Sequence, residues 1–224
     1  MMRLIVPFLT GLLLGACSAP SIRPAADSSA SSISIATLAD ETVALFTRDD
    51  DGHLQPLCSG VWLSSSLIVT SDHCLGSNAL GSTVEFALHD DVQFTGIRSR
   101  SAVVSARNDR VDLALLRTGQ VPSHRSAYVG VGHVGERVHV MGHPLGLYYT
   151  YASGVVSAFR VVDGVTLLQT TAPTSPGSSG GGIFNSEGAL LGIAHAVVPK
   201  GNGLAYYIDS RHVMQMLVLA PGVE

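Results

Sequence analysis

Charge is scarce in this 224-residue chain. Asp, Glu, Lys and Arg make up 13% of it, where about a quarter is usual for a soluble domain. No run of Lys or Arg occurs, and the formal net charge is −4. The basic stripe that neutralises nucleic-acid phosphates is therefore missing, and no nucleic-acid partner is expected. Internal repeats at periods of about 20 to 50 residues, the mark of solenoids and propellers, are absent. Helical periodicity is weak until the C-terminal end. The longest apolar run is short for a comfortable membrane span, which needs about 20 residues.

That run stands at the N-terminus, in "MMRLIVPFLTGLLLGACSAP". One Arg precedes roughly a dozen apolar residues that end in small ones, the pattern of a secretory signal. Its ending, "LLGAC", resembles the bacterial lipobox. The resemblance implies cleavage after residue 16 and a lipid on Cys17, with the membrane as partner. Each buried methylene of such a lipid contributes about 0.8 kcal/mol, and two or more chains hold firmly. Ser18 after the Cys suggests the outer membrane of a Gram-negative host. The following stretch, rich in Ser, Ala and Pro, reads as a tether over residues 17–35. A folded domain is expected over 36–220, and an exported, lipid-anchored location with it. With Cys17 lipidated, Cys58 and Cys74 remain as an even pair in an exported chain, and a disulfide between them is expected.

From Ile35 onward the chain consists of short apolar runs divided by turn signals such as Asp51-Gly52, Asp163-Gly164, Glu187-Gly188 and Asn202-Gly203. Many short strands with close turn chemistry point to an all-β sandwich or barrel. Near the end, "DSRHVMQMLVLA" offers a helix cap at Asp209 or Ser210. Val213, Met216, Leu217 and Ala220 would share one face of that helix.

Three segments carry candidate chemistry. In "CSGVWLSSSLIVTSDHCLG" a His follows an apolar strand. Cys58, His73 and Cys74 lack the spacing of a zinc ligand pair, which leaves His73 as a strand-end residue or as a base held beside a disulfide. In "RNDRVDLALLRTG", Asp112 opens a nearly pure apolar strand, with Asp109 as a competitor. In "SPGSSGGGIF", Ser179 is the centre of a G-x-S-x-G pattern. That pattern occurs at the strand-to-helix turn of α/β-hydrolases and in loops whose N–H groups form an oxyanion hole. An α/β-hydrolase needs its acid and His after the Ser, which would require His195 or His212. The order His73, Asp112, Ser179 satisfies the other arrangement.

Taken together, these segments resemble the chymotrypsin-fold serine proteases, closest to the HtrA-like bacterial branch. "CSGVWL" with "IVTSDHC", "DLALLR", "HPLGLYYTYASGVVSAF", "SPGSSGGGIFNSEGALLGI" and "GLAYYIDSRHVMQML" follow in the family's order. The resemblance implies two six-stranded antiparallel β-barrels with a C-terminal helix; the PDZ module of many HtrA proteins is not expected, since few residues follow that helix. It implies an endopeptidase acting on proteins or peptides through an acyl-enzyme. Ser179 would be the nucleophile, His73 the base and Asp112 its orienting acid, with the N–H groups of Gly177 and Ser179 as the oxyanion hole. The specificity pocket would take in Ala172, Thr174, Ala194, His195 and Ala196. These carry no carboxylate, so small or medium aliphatic side chains are favoured over Lys or Arg. His195 is expected to be an ordinary strand His facing solvent or core.

The chain departs from the family at Ser178, where Asn or Asp is usual, and at Ser71-Asp72 before the His. No Ile-Val-type N-terminus stands near Ile35, so activation by insertion of a freed N-terminus is not expected. No cofactor is expected. No metal is expected either, because His133, His139 and His143 lie close in sequence without a carboxylate or Cys to complete a set. The alternative to a peptidase is a catalytically inactive lipoprotein that uses the fold to bind a partner.

Overall fold

The structure, a computed structural model, describes residues 33–93, 96–121, 126–197 and 204–220. The signal segment, Cys17 and the Asn202-Gly203 turn lie outside these. The chain begins with helix α1 (Ile35–Asp40), then β1 (Thr42–Arg48), β2 (Leu54–Ser64), β3 (Leu67–Thr70) and β4 (Thr83–Ala87). A two-residue ribbon, β5 (Val92–Gln93) with β6 (Gly96–Ile97), precedes β7 (Arg100–Asn108) and β8 (Leu113–Arg117). The second half holds β9 (Arg137–Gly142), β10 (Thr150–Val162), β11 (Val165–Thr170), β12 (Gly182–Asn185), β13 (Leu190–Val197), β14 (Ala205–Asp209) and helix α2 (Ser210–Leu219).

Twelve of the strands close two antiparallel six-stranded barrels, in the orders β1-β2-β3-β8-β7-β4 and β10-β11-β14-β13-β12-β9. The turn signals act where they stand in the sequence. Asp163 and Gly164 both have positive φ between β10 and β11, as a two-residue hairpin turn of matching twist requires. On β7, Ala102 and Val104 are buried while Ser101, Val103 and Ser105 are exposed, the period-2 pattern of a strand with one wet face. The strand β8 is different, because Leu113 through Leu116 are all buried. Ala114 and Leu116 join Trp62, Ile68 and Phe86 inside the first barrel. Leu113 and Leu115 join Val61, Val69, Met141, Phe184, Ile193 and Ile208 in a cluster shared by the two barrels. A strand covered on both faces reads as an unbroken apolar run, which accounts for "LALL" directly after Asp112.

The expected C-terminal helix is present. Asp209 caps it by accepting the Arg211 N–H at 2.9 Å, and Val213 and Met216 are buried against the shared cluster. Helix α1 was not expected from the sequence. Six residues are too few to show a helical period, and this turn is held by Ser34 at its N-cap and by Leu38 packed in the shared cluster. The chain is already engaged at Ile33, whose N–H donates to the Ser186 carbonyl at 2.9 Å. Among the described residues, no helix is long and apolar enough to cross a membrane.

Candidate active site

His73 lies in a short helical turn just after β3, and its side chain is about half exposed. The turn is pinned from both ends. Cys74 is disulfide-bonded to Cys58 on β2. Asp72 is buried, and Arg107 at the end of β7 bonds its two carboxylate oxygens at 2.6 and 2.9 Å. The bidentate guanidinium offsets much of the negative charge that Asp72 brings beside the His.

Asp112 enters β8 with a φ of +61°. Its Oδ1 accepts the His73 main-chain N–H at 2.8 Å, and its Oδ2 pairs with His73 Nδ1 at 2.8 Å. Asp109, the competing acid, is exposed. Burial pushes the Asp112 carboxyl upward, but bonds from His195, His73 Nδ1 and the His73 N–H outweigh it and hold the group well below the usual carboxylate range. His73 is shifted the other way. The Asp112 hydrogen bond raises it above the ordinary imidazole value, partly offset by burial and aided by the charges of Asp112 and Asp72. An ionised carboxylate only accepts, so His73 Nδ1 carries a proton and Nε2 is the basic nitrogen.

The Ser179 loop runs between β11 and β12. Ser59, next to Cys58, ties it to the first barrel. The Ser59 N–H donates to the Ser179 carbonyl at 2.8 Å, and Ser59 Oγ donates to the Gly177 carbonyl at 3.1 Å while accepting the His143 N–H at 3.1 Å. Gly180 lies against Ser59, Thr70 and Ser71, and a Cβ there would strike the Ser59 carbonyl and Thr70 Oγ1. The loop thus packs on the strand end that leads into His73. Ser179 is half-buried, and among the described residues its hydroxyl makes no hydrogen bond. Contacts between a nucleophile and its base often close only when substrate binds.

Gly177 has a φ of +94°, and a Cβ at this position would stand 2.6 Å from the His143 carbonyl. Only glycine fits there. The Pro176 carbonyl is taken by the Leu145 N–H at 2.8 Å. Across a trans peptide the N–H points opposite to the carbonyl, so the Gly177 N–H is turned away from Leu145. Among the described residues neither it nor the Ser179 N–H has a partner. Free N–H groups close together on one loop are the kind of donors that can stabilise an oxyanion.

Thr174, Ala194, His195 and Ala196 line a cavity with Ser175, Pro176 and Ser179. Ala172 does not belong with them, because it is fully buried in the apolar cluster of the second barrel. His195 also corrects the sequence reading. It is partly exposed at the cavity wall rather than free in solvent or set in a core, and it places Nδ1 2.6 Å from Asp112 Oδ2. No signal in the sequence marks it, since the contact joins residues 83 positions apart. The other histidines are dispersed. His133 pairs with Glu136, His139 with the Tyr151 hydroxyl, and His212 accepts the Thr166 N–H. His143 is buried and accepts the Tyr149 N–H. The sulfurs of Cys58 and Cys74 are joined to each other.

The family model described as a trypsin-like peptidase domain matches residues 58–193. The magnetosome formation protease MamE of Paramagnetospirillum magneticum is 35% identical over 160 residues, which are 66% of this chain and 21% of that protein. A probable periplasmic serine endoprotease, DegP-like, of Buchnera aphidicola is 30% identical over 162 residues, 68% of this chain and 33% of the other. Among solved structures, a serine endoprotease from Yersinia pestis shares the fold with a TM-score of 0.69 at 23% identity, covering 83% of this chain and 66% of that one. The chain spans about a third or less of the length of these two curated relatives. The matched segment takes in His73, Asp112 and Ser179, and with the paired barrels it decides the classification: the chain belongs to the trypsin-like peptidase domain family.

Proposed function

We propose that the chain is a serine endopeptidase. Ser179 Oγ attacks the scissile carbonyl, and His73 Nε2 takes its proton and later returns it to the leaving amine. Asp112 holds the imidazole tautomer and stabilises the imidazolium. The Gly177 and Ser179 N–H groups receive the oxyanion. The observation that carries this reading is the pair of hydrogen bonds that Asp112 accepts from His73, from the main-chain N–H and from Nδ1, each at 2.8 Å, beside a glycine-bounded Ser loop. The cavity next to Ser179 bears alanines, a Thr and a Pro and no carboxylate, which favours small or medium apolar side chains. Relatives named as periplasmic, together with the N-terminal signal pattern, support export. Lipidation of Cys17 would hold the enzyme on a membrane.

A fluorophosphonate probe tests the chemistry. The wild-type protein should label and Ser179→Ala should not, with a loss of peptidase activity on the order of a million-fold. A folded wild type that stays unlabelled would favour a partner-binding protein on the same fold. The anchor is tested by detergent-phase partitioning of the full chain, which should be lost in Cys17→Ser. Equal partitioning of the two would remove the lipid from the account.

A further inference from the structure

Asp112 holds two imidazoles. Its Oδ2 receives Nδ1 of His73 at 2.8 Å and Nδ1 of His195 at 2.6 Å. An ionised carboxylate can only accept, so both Nδ1 atoms carry protons and both rings are locked in the same tautomer. The two rings stand edge to face with centroids 6.2 Å apart.

His195 reaches this position through an irregularity in its strand. Along β13 and β14, Ala194 pairs with Tyr207 and Ala196 with Tyr206, so the register shifts at His195. The extra residue of such a bulge leaves the ladder and has its side chain re-aimed. Its neighbour Ala194 is firmly held. The Ala194 carbonyl accepts the Gly180 N–H at 2.9 Å and Ser71 Oγ at 2.7 Å, and its N–H donates to Gly181 at 2.8 Å. The imidazole therefore projects from a fixed point of the second barrel onto an acid of the first.

Asp112 needs such support. A φ of +61° is one that Asp adopts more readily than most residues with a Cβ, but still at some cost, so it is favoured where its surroundings hold it. Its carbonyl takes a single long bond, from the Asp72 N–H at 3.2 Å. The side-chain bonds do most of the holding, and His195 supplies the shortest.

We infer that His195 is a positioning residue: it clamps Asp112 from the second barrel, so that the acid of the site is held by a His on each barrel. The catalytic part of this inference rests on the peptidase reading above. The clamp itself can be tested apart from activity.

Two measurements on the full-length protein test it. Imidazole Nδ1 protons bonded to a carboxylate resonate far downfield of the amide region in proton NMR. The wild type should show two such signals, and His195→Asn should show one. In kinetics, His195→Leu should lower kcat by about 10- to 100-fold with KM changed less than about threefold, the worth of one hydrogen bond to a charged group. His195→Asn places an amide nitrogen where Nδ1 stood and should recover most of that loss. A single downfield signal in the wild type would overturn the clamp, even if the Leu variant failed to fold. So would an Asn variant no better than Leu. Two signals in a protein that no fluorophosphonate labels would leave the clamp standing and remove the peptidase reading. One signal in a protein that labels would do the reverse.

Discussion

Acidification should strike this fold at His143. The ring is 3% exposed, and burial pushes its pKa down from 6.5 to about 4, with a backbone contact at Val43 offsetting part of the effect. Its Nδ1 accepts the Tyr149 N–H at 2.9 Å, a bond that a protonated ring cannot accept. The unfolded chain takes up the proton near pH 6.5 and the native state only near pH 4. Stability is therefore complete above the higher value, falls as pH drops between the two, and is flat with respect to this group below. A depression of that size corresponds to about 3 kcal/mol, a large share of the roughly 5–15 kcal/mol of a typical domain. His139 is also lowered, by burial and by Arg137, and adds a loss of the same sign. His73 is raised and acts in the opposite sense, its contribution being lost as pH rises. Both are common to the wild type and to His143→Asn, which keeps an acceptor near Tyr149 but does not titrate. Urea unfolding followed by the single Trp, the fully buried Trp62, gives the comparison at about pH 7.5 and about pH 4. The wild type should lose about 3 kcal/mol more than the variant between the two. Equal losses, within about 1 kcal/mol, would refute the argument.

The other predictions concern the elements that bring the site together. Gly180→Ala would put a Cβ against the Ser59 carbonyl and Thr70 Oγ1 at a φ of +80°. Strain and overpacking should cost about 2–4 kcal/mol and displace the Ser loop, so thermal melting should fall and fluorophosphonate labelling should collapse. A variant that labels like the wild type would show that the loop tolerates the contact. Arg107→Ala leaves the Asp72 carboxylate buried without its guanidinium. Arg107 is partly exposed, so the loss should be about 2–3 kcal/mol, below the range for a fully buried pair. In denaturant melts, adding Asp72→Asn should recover much of it; a double variant as unstable as the single would place the loss elsewhere. Because Asp112 raises His73, kcat/KM should fall as pH drops through a midpoint above 6.5, and in Asp112→Asn that midpoint should move down. An unmoved acid limb would detach Asp112 from the base.

What the sequence by itself determined about this protein is whatever local chemistry writes down. Asp163-Gly164 states its hairpin, because only residues that tolerate positive φ make that turn. Asp209 states its helix, because a carboxylate can cap the first free N–H groups. The order of His73, Asp112 and Ser179 along the chain chose one fold over another before any contact was known. Two of the glycines around Ser179 are places where backbone meets backbone: Gly177 against His143, Gly180 against Ser59. Sequence shows that glycine is present, and packing shows what it makes room for. Helix α1 was not legible for a related reason, since a six-residue turn has no period of its own and exists because Leu38 has a cluster to fill. His195 is the clearest case of what only the tertiary structure decided. Its neighbours in sequence mark it as an ordinary strand residue. A register shift between β13 and β14 turns it out of the ladder, and closure of one barrel on the other carries it to Asp112. No local pattern records a contact between residues 83 positions apart, because the free energy that fixes it belongs to the packing of two barrels.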